Sequence, residues 1–365
     1  MDWQNTHALM DKHVIFRKRL LKWSEGIERD LPWKEGRNPY FIWLSEIILQ
    51  QTRVAQGRPY YLKFIKAFPK IEDLAKASQD EVFSLWEGLG YYSRARNLHA
   101  SAKQVVEDFS GEFPNQYEDI RSLKGVGPYT AAAIASFAFD LAYPVVDGNV
   151  MRVLTRVFGI EDAIDSTSGK KKINALAEEL LDKKAPAAYN QAIMDFGALQ
   201  CTPKNPNCST CPLGDICISK DTELVQLLPY KAKKVKKRNR YFHYFDLMDA
   251  KGQTILSRRE DKDIWQGLYQ FPMVEKSDVE VLDLETIQSS MDLDLKRLVL
   301  ERISKIYKQT LSHQYIHAIF YKIRVEGCFF EDKEGIYLAD RQNVSNFAFP
   351  KLIREYIEDK VLTLF

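Results

Sequence analysis

Four of the five cysteines in this chain lie within seventeen residues, spaced as Cys201-x6-Cys208-x2-Cys211-x5-Cys217. Four soft thiolates this close together favour one metal centre over two disulfides. Zinc ribbons usually carry two Cys-x2-Cys pairs and this run has one, so the spacing favours a [4Fe-4S] cluster over zinc. Zinc and paired disulfides remain the alternatives. The fifth cysteine, Cys328, is interpreted as a small buried hydrophobic residue.

The composition is typical of an intracellular protein with more than one domain. The chain has 365 residues, of which 45% are hydrophobic and 28% charged, and this length predicts about two to three domains. Residues 1–23 mix charged and apolar side chains and lack the continuous apolar run of a secretory signal. No window is apolar enough for a membrane span, so we expect no membrane partner. The net charge of +2 leaves any binding of a polyanion to local patches.

Helical patterns dominate residues 1–220 and predict an all-α domain there. Asn38 and Pro39 form an N-cap and a first helical residue, and the apolar residues 40–49 that follow predict a buried helix. A second helix is predicted from about Asp80 to the glycines at 88 and 90. Strand-like alternation is scarce before residue 240. Further helices are predicted at 95–109, 116–123, 128–139, 148–157, 170–183 and 187–199.

A change of composition separates this part from the rest of the chain. Residues 221–239 are predicted to be a basic linker, and residues 231–240 contain seven basic side chains and no acidic one. The linker is either a solvated connector or a segment that follows DNA phosphates. The basic residues that would contact phosphates are Lys233, Lys234, Lys236, Lys237 and Arg238.

Residues 240–365 predict a smaller α+β domain. Alternation of period two predicts strands at 241–248 and 254–257 on either side of a turn at 249–252. Strands are also predicted at 302–310 and 314–325, and helices at 279–290 and 349–359.

The segment 123–131, LKGVGPYTA, predicts a turn between two helices. Gly125 and Gly127 turn the chain, and Pro128 suits the first position of the next helix. Free amides at such a helix start can bind a phosphate oxygen. An ordinary helical hairpin is the alternative, but the pattern is the signature of the helix-hairpin-helix DNA-binding motif, here at about 116–139.

Two carboxyl groups in the helical part suggest acid–base chemistry. Glu46 lies in an apolar helix, where burial disfavours its charged form, so it could hold a proton and serve as a general acid. Asp147 stands at a predicted helix start, where the helix dipole favours a charged carboxylate. Locally, a partly exposed Glu46 and an N-capping Asp147 explain the same residues. One protonated and one ionised carboxyl is the pair that cleaves glycosidic bonds.

The combination of motifs resembles a known superfamily. Residues 45–52 (SEIILQQT), 123–131 and 146–150 (VDGNV), with the four-cysteine loop at 201–217, resemble the endonuclease III superfamily of DNA glycosylases, and most closely its MutY-type adenine glycosylases. The resemblance implies a monofunctional DNA N-glycosylase of base excision repair. Its substrate would be adenine mispaired with 8-oxoguanine or guanine in double-stranded DNA. It also implies one [4Fe-4S] cluster per chain, a monomer, and a cytoplasmic, nucleoid-associated location if the source is bacterial.

The resemblance assigns roles to residues of the helical part. It implies that Glu46 protonates N7 of a flipped adenine and later helps to activate water, while Asp147 stabilises or traps the sugar cation. Tyr129 and Asn149 would support Asp147. Because Tyr129 occupies the place of the Schiff-base lysine of bifunctional relatives, strong lyase activity is not expected. The resemblance assigns DNA or base contacts to Gln51 as a wedge, Thr52, Tyr91 as an intercalating residue, Gln191 at the adenine edge, Gly125 and Gly127.

The carboxy-terminal part resembles the Nudix-related domain of MutY-type enzymes. Residues 265–272 (WQGLYQFP) match its G-L-W-x-F-P segment, with Tyr269 in place of tryptophan. No R-E-x-x-E-E helix follows, so the domain is predicted to bind and not to hydrolyse. Ser312 and His313 match a loop that contacts the oxidised base, in which Leu311 replaces a stacking Phe.

Two other functions fit part of these motifs. The first is a bifunctional glycosylase/lyase of the endonuclease III type, and Tyr129 and the second domain argue against it. The second is a non-catalytic DNA-binding protein, and the presence of both Glu46 and Asp147 argues against that.

Overall fold

The computed structural model describes residues 3–233, 236–291, 297–327, 330 and 335–361. By its internal contacts the chain divides into two units. The first comprises Met1–Ala75 and Ala100–Lys234, and the second comprises Lys76–His99 and Val235–Phe365. The helical segment Lys76–His99, which the sequence placed in the amino-terminal domain, is thus grouped with the carboxy-terminal residues. Cys328 lies outside the described residues, so its predicted burial stays a prediction.

The amino-terminal two thirds of the chain is helical, as predicted. Four predicted helices, 116–123, 128–139, 148–157 and 187–199, match observed helices within one residue at each end. The predicted helix at 170–183 begins and ends three residues earlier, because Ser166 caps it by accepting a hydrogen bond from the amide of Gly169 at 3.0 Å. The helices are α1 Trp3–Ser24, α2 Pro39–Leu49, α3 Val54–Ala67, α4 Ile71–Lys76, α5 Gln79–Trp86, α6 Tyr92–Asp108, α7 Tyr117–Ser122, α8 Pro128–Phe139, α9 Gly148–Phe158, α10 Thr167–Leu180, α11 Pro186–Leu199 and α12 Leu224–Leu227.

Local capping explains where α2 begins, and burial of a shared core explains how four other helices pack. The side chain of Asn38 accepts a hydrogen bond from Tyr40 N at 2.9 Å and begins α2, as the sequence predicted. Helices α1, α9, α10 and α11 share one core, in which each fully buried large apolar side chain contributes about 1.5–3 kcal/mol. This core fixes the start of α9 and the face of α11 relative to each other. Its members include Phe16, Leu20, Val153, Leu154, Ile193 and Phe196.

The predicted linker 221–239 is partly built into the first unit. The Asp165 carboxylate accepts hydrogen bonds from the amides of Ala232 at 3.0 Å and Lys233 at 2.9 Å. Arg238 already belongs to the first strand of the second unit. The connecting segment is therefore shorter than predicted, and Lys234 lies outside the described residues.

The second unit contains two sheets. The strands are β1 Arg238–Met248, β2 Gln253–Arg258, β3 Tyr269–Gln270, β4 Met273–Lys276, β5 Leu298–Ile303, β6 Tyr307–Thr310, β7 Gln314–Val325 and β8 Ile336–Asp340. In the larger sheet β4, β1 and β7 are neighbours in that order, and both β5 and β6 pair with the other edge of β7. The β1–β7 pair is parallel and the others are antiparallel. The smaller sheet has the order β3-β2-β8.

Several predictions for this unit differ from the structure. The turn at 249–252 is present, since Gly252 N donates to Asp249 O at 3.1 Å, but β1 and β2 belong to different sheets. The predicted strand 302–310 is two strands, because β5 ends at Ile303 and β6 begins at Tyr307. The predicted helices shorten to α13 Leu284–Ser289 and shift to α14 Lys351–Val361.

The two faces of the larger sheet bury different cores. Phe242 and Tyr244 of β1 lie on the face that packs with α14. Phe245 and Leu247 lie in a second core with Ile287 of α13. None of the helices in the described ranges combines the length and apolar character that a membrane span needs.

Candidate active site and metal-binding loop

One cavity of about 520 Å³ in the first unit is lined by all four predicted catalytic residues. Glu46 reaches it from α2 and Tyr129 from the first turn of α8. Asp147 and Asn149 reach it from the start of α9. Thr52 and Gln191, two of the predicted DNA contacts, also line it.

Glu46 is half-buried and has a perturbed acidity. Burial raises its pKa to about 7, and the nearby Asp147 adds to the rise. The phenol of Tyr129 donates a hydrogen bond to Glu46 Oε2 at 2.9 Å, and this bond opposes the rise in the pKa of Glu46. Because burial and the two carboxyls raise the pKa of Tyr129 well above its ordinary value, the phenol stays a donor. Glu46 can therefore carry a proton at neutral pH, as the sequence predicted.

Asp147 is held by donors on both of its oxygens. Val150 N donates to Oδ1 at 2.7 Å and the side chain of Asn149 donates to Oδ2 at 2.7 Å. Burial raises the pKa of Asp147, while these hydrogen bonds and the charge of Arg152 oppose the rise. Donors on both oxygens favour the ionised carboxylate. Asp147 is thus both the N-cap of α9 and a carboxylate facing the cavity.

Arg152 orients Asn149 from behind. Its Nη2 donates to Asn149 Oδ1 at 2.9 Å and to Gly197 O at 2.6 Å, and its Nε donates to Cys201 O at 2.8 Å. Because Arg152 donates to Oδ1 of Asn149, the side-chain Nδ2 group of Asn149 is directed at Asp147.

One predicted catalytic residue makes a contact that the sequence did not predict. Tyr129 was expected to support Asp147, but its hydrogen bond goes to Glu46. Gln51, predicted to be a wedge in DNA, is exposed just after α2 with a left-handed backbone, φ 55°, outside the cavity lining. Its role as a wedge stays a prediction.

The cavity also has a charged wall that sequence reasoning missed. Asp195 of α11 is buried and pairs with the guanidinium of Arg29 and, at 2.8 Å, with the ammonium of Lys34. All three residues line the cavity. No local pattern indicates this cluster, because the two cations come from a loop more than 160 positions before Asp195.

The predicted helix-hairpin-helix is present as α7, a turn and α8. Gly125 adopts φ 76°, a left-handed conformation that favours glycine, and Gly127 is the N-cap before Pro128. Both glycines and Lys124 are exposed, while the amides of Lys124 and Val126 donate to Gln104 Oε1 at 3.2 Å and Leu123 O at 3.0 Å. Such a turn can accept a phosphate oxygen at the start of α8.

The four predicted metal ligands surround one small cavity. Cys201, Cys208, Cys211 and Cys217 are half-buried free thiols that all line it, so the structure holds no disulfide among them. Burial and the three neighbouring thiols raise the pKa of Cys211 to about 11. Across the described part of the chain, no three His, Cys, Asp or Glu side chains converge closely enough to hold a single metal ion.

Arg156 joins this loop to α9. It is buried and donates to the carbonyls of Thr202 at 2.8 Å and Pro203 at 3.1 Å, and it lies 3.5 Å from Cys201 Sγ. Ile218 N donates to Val157 O at 3.1 Å just after the last cysteine. Both ends of the loop are thus fixed on the same helix.

The second unit has its own cavity of about 450 Å³ beside the hairpin turn between β6 and β7. Leu311, Ser312 and His313 of that turn line it together with Tyr91. The Tyr91 hydroxyl and Ser312 Oγ are 2.6 Å apart, so two residues to which the resemblance assigns DNA contacts meet here. Leu311 is half-buried and packs against the core of this unit.

Tyr91 stands in an unusual turn. Gly88, Gly90 and Tyr91 all have positive φ, and the Tyr91 side chain is 46% exposed. The guanidinium of buried Arg94 lies 5.4 Å from the Tyr91 ring centroid and donates to Gly90 O at 3.2 Å. A non-glycine residue held in this conformation is often found at a functional site.

Comparisons with known proteins agree with this geometry. Residues 44–183 match the HhH-GPD superfamily of base excision DNA repair proteins, residues 201–217 match the iron-sulfur binding domain of endonuclease III, and residues 243–359 match the NUDIX domain. The adenine DNA glycosylase of Buchnera aphidicola from Schizaphis graminum is 33% identical over 354 residues, covering 94% of this chain and 98% of the relative. The chain belongs to the adenine DNA glycosylase family.

Other known glycosylases are similar to part of this chain. The mouse adenine DNA glycosylase is 46% identical over 213 residues, covering 56% of this chain and 41% of the relative. A thermostable thymine-DNA glycosylase is 31% identical in structure-based comparison, with a TM-score of 0.54, covering 58% of this chain and 98% of the other. The predicted class of enzyme, a DNA N-glycosylase of base excision repair, and the predicted fold class are confirmed, and the four-cysteine loop is an iron-sulfur domain.

Proposed function

We propose that this adenine DNA glycosylase removes adenine opposite 8-oxoguanine or guanine by hydrolysis, without strand cleavage. The observation that carries the proposal is the pairing of Glu46 and Asp147 in one cavity. One carboxyl has its pKa raised to about 7, and the other accepts hydrogen bonds on both oxygens. That difference supplies an acid and a stabilising anion in the same site.

The proposed reaction uses the two groups in turn. Glu46 donates its proton to N7 of a flipped adenine, which makes the base a better leaving group, and the bond between base and sugar then breaks. Asp147 stabilises the positive charge that develops on the sugar, or bonds to it, because its carboxylate is fixed by Asn149 and Val150. The deprotonated Glu46 helps to activate the water that completes hydrolysis.

The proposal that the enzyme is monofunctional rests on position 129. Tyr129 cannot form an imine with the sugar, and its phenol is hydrogen-bonded to Glu46 at 2.9 Å. We expect adenine release from an adenine:8-oxoguanine duplex to leave an intact abasic strand, which breaks only after treatment with base. Strand cleavage at the same rate as base release, without that treatment, would contradict this proposal.

We further propose that the iron-sulfur group is a [4Fe-4S] cluster held by Cys201, Cys208, Cys211 and Cys217. In such clusters each of four thiolates binds one iron, and the support here is that all four thiols line one small cavity within the residues that match an iron-sulfur domain. When bound, the cluster would offset part of the negative charge of the four thiolates and would link the two ends of the loop.

Iron content tests the cluster type. We expect about four irons per chain and a broad absorption near the visible edge, because thiolate-to-iron charge transfer colours these clusters. Cys211→Ser should lower the iron content and harm folding and DNA affinity more than the chemical step. Cys328→Ser, outside the run, is the matched control and should keep full iron. Colourless protein with one zinc per chain would contradict the proposal.

For the second unit we propose recognition of the base opposite adenine. Tyr91 would enter the duplex and Ser312 with His313 would contact the edge of 8-oxoguanine. The support is the cavity that these residues share and the short contact between Tyr91 and Ser312. Leu311, packed against the core, would hold the hairpin turn and contribute less to discrimination.

Point variants test this role better than truncation does. Residues 76–99 depend on the carboxy-terminal residues through ion pairs such as Glu87 with Arg354 at 2.6 Å, so deleting residues 235–365 would also disturb Tyr91. Ser312→Ala with His313→Ala should reduce the preference for 8-oxoguanine over guanine by about 1–3 kcal/mol, the usual contribution of hydrogen bonds to a base edge. Excision rates on duplexes that differ only in the opposing base measure it.

Leu311→Ala is the matched control for that pair and should change the preference less. Equal discrimination in the double variant and the unchanged chain would return recognition of the opposing base to the first unit.

A further inference from the structure

One part of the larger sheet in the second unit is not covered by a helix. The face that carries Phe242 and Tyr244 is covered by α14 along its length. The opposite face is covered at the carboxyl ends of β1 and β7, where residues such as Leu247 and Ile323 form a core with Ile287 of α13. At the amino ends of the same two strands, side chains of this second face are exposed or half-buried.

Strand register places four side chains in one row across this open area. Tyr241 of β1 is opposite Lys276 of β4 and level with His317 of β7, which is opposite Lys308 of β6. Residues paired in this way lie on the same face of a sheet. With neighbouring strands about 4.8 Å apart, the row from Lys276 to Lys308 is about 14 Å long. Both lysines are exposed.

A second row lies beside the first, towards the amino end of β1. Asn239 is level with Tyr315, which is 42% exposed, and the ammonium of Lys237 lies 5.0 Å from the Tyr315 ring centroid. In the first row, the rings of Tyr241 and His317 stack at 5.0 Å with an angle of 23°. The rings of Tyr241 and His317 are thus held against each other, and His317 Nε2 also lies 3.0 Å from Asn239 Oδ1.

The two rows carry basic and no acidic side chains, and the basic residues 236–238 lead directly into β1. Asp278, which follows β4 and contacts His243 on the same face, lies outside the two rows. The acidic partners of this part of β1, Asp263 and Glu275, lie on the other face and are paired with Arg240. The hairpin turn 311–314 adjoins the second row, because Tyr315 follows it.

We propose that this open face, defined as Lys237, Asn239, Tyr241, Lys276, Lys308, Tyr315 and His317, binds the phosphate backbone of duplex DNA outside the mispair. The proposal extends the role proposed above for the hairpin turn, since a duplex read by residues 311–314 would have its flanking phosphates close to the adjoining rows. Lysines and tyrosine hydroxyls are common phosphate donors, and such contacts position a duplex without reading its sequence.

Lysine on an edge strand also protects a sheet from pairing with another one, and β4 and β6 are both edge strands. Protection of edges would explain Lys276 and Lys308 singly. It does not explain why the central strands between them present stacked aromatic rings and no acidic group on the same open area.

The test uses the full chain and a duplex without any mispair, so that it is independent of reading the opposing base. We expect Lys276→Gln with Lys308→Gln to flatten the slope of log affinity against log salt by nearly two, and to weaken binding up to roughly eightfold per lost contact at 0.1 M salt. The loss should be smaller on a duplex too short to reach the open face. The preference for 8-oxoguanine over guanine should not change.

The matched control removes the same charge from the other end of the larger sheet. Lys251→Gln, in the turn after β1, with Lys322→Gln, near the carboxyl end of β7, should leave the salt slope as in the unchanged chain. Thermal unfolding and iron content of both variants check that each is folded. Equal slopes for the open-face variant and this control would overturn the proposal, even if Ser312→Ala still lowered discrimination. A flatter slope with unchanged discrimination would support it, whatever the outcome for the hairpin turn.

Discussion

Glu46→Gln is expected to abolish adenine excision while leaving binding to a mispaired duplex largely intact. Glutamine has the shape of glutamate and can still accept the hydrogen bond that Tyr129 donates at 2.9 Å, so the cavity should keep its geometry. The amide cannot deliver a proton, and general acid catalysis typically contributes about 10²–10⁴-fold. Single-turnover excision on an adenine:8-oxoguanine duplex should therefore fall by at least about 100-fold.

Glu107→Gln makes the same chemical change at an exposed position of α6 and serves as the control, with activity expected to be unchanged. The pH profile is a second check. Because the pKa of Glu46 is raised to about 7, the unchanged chain should lose its chemical rate as pH rises above that value and the acid deprotonates. Excision by Glu46→Gln within about tenfold of the unchanged chain would rule out Glu46 as the acid.

Asp147→Asn should also lose excision, through loss of the charge that stabilises the sugar cation. Asparagine is as good an N-cap as aspartate, so α9 should still begin at Gly148 with its bond from Val150 N. The neutral side chain cannot stabilise a cation as a carboxylate does, and its amide group would also meet the donor of Asn149. Removal of one stabilising group of this kind costs about 10²–10³-fold in rate.

Asp283→Asn is the matched control, since Asp283 caps α13 with a hydrogen bond from Thr286 N at 2.7 Å, the same length as the bond from Val150 to Asp147. Both variants should unfold at nearly the temperature of the unchanged chain. If Asp147→Asn kept its excision rate, or lost it only by unfolding, Asp147 would be a helix cap without a role in the chemistry.

The helices around the candidate site could be predicted because their signals are local. Asn38 before Pro39, and Gly127 before Pro128, place the starts of α2 and α8 within a few residues of sequence. Glu46 and Asp147 could be proposed for the same reason. The apolar residues around Glu46 predict that it is buried, and the place of Asp147 just before a helix predicts that it caps that helix. The spacing of the four cysteines was enough to predict a metal centre, because they lie within seventeen residues of one another.

Pairings between distant segments could not be predicted. The parallel pairing of β1 with β7 joins Arg238 to Gln314, and nothing near either residue indicates it. The turn at 249–252 was predicted between two strands, but those strands, β1 and β2, pair with distant segments and belong to different sheets.

The sequence by itself determined the helical character of the first two thirds of the chain, the starts of the helices that carry Glu46 and Asp147, and the spacing of the cysteines. These depend on backbone preferences and on neighbours within one helical turn. Only the tertiary structure decided that Tyr129 forms a hydrogen bond with Glu46 and Tyr91 with Ser312. It also decided that Asp195 forms ion pairs with Arg29 and Lys34. Such contacts join segments far apart in the chain, and they form where burial of apolar surface brings the helices and strands together.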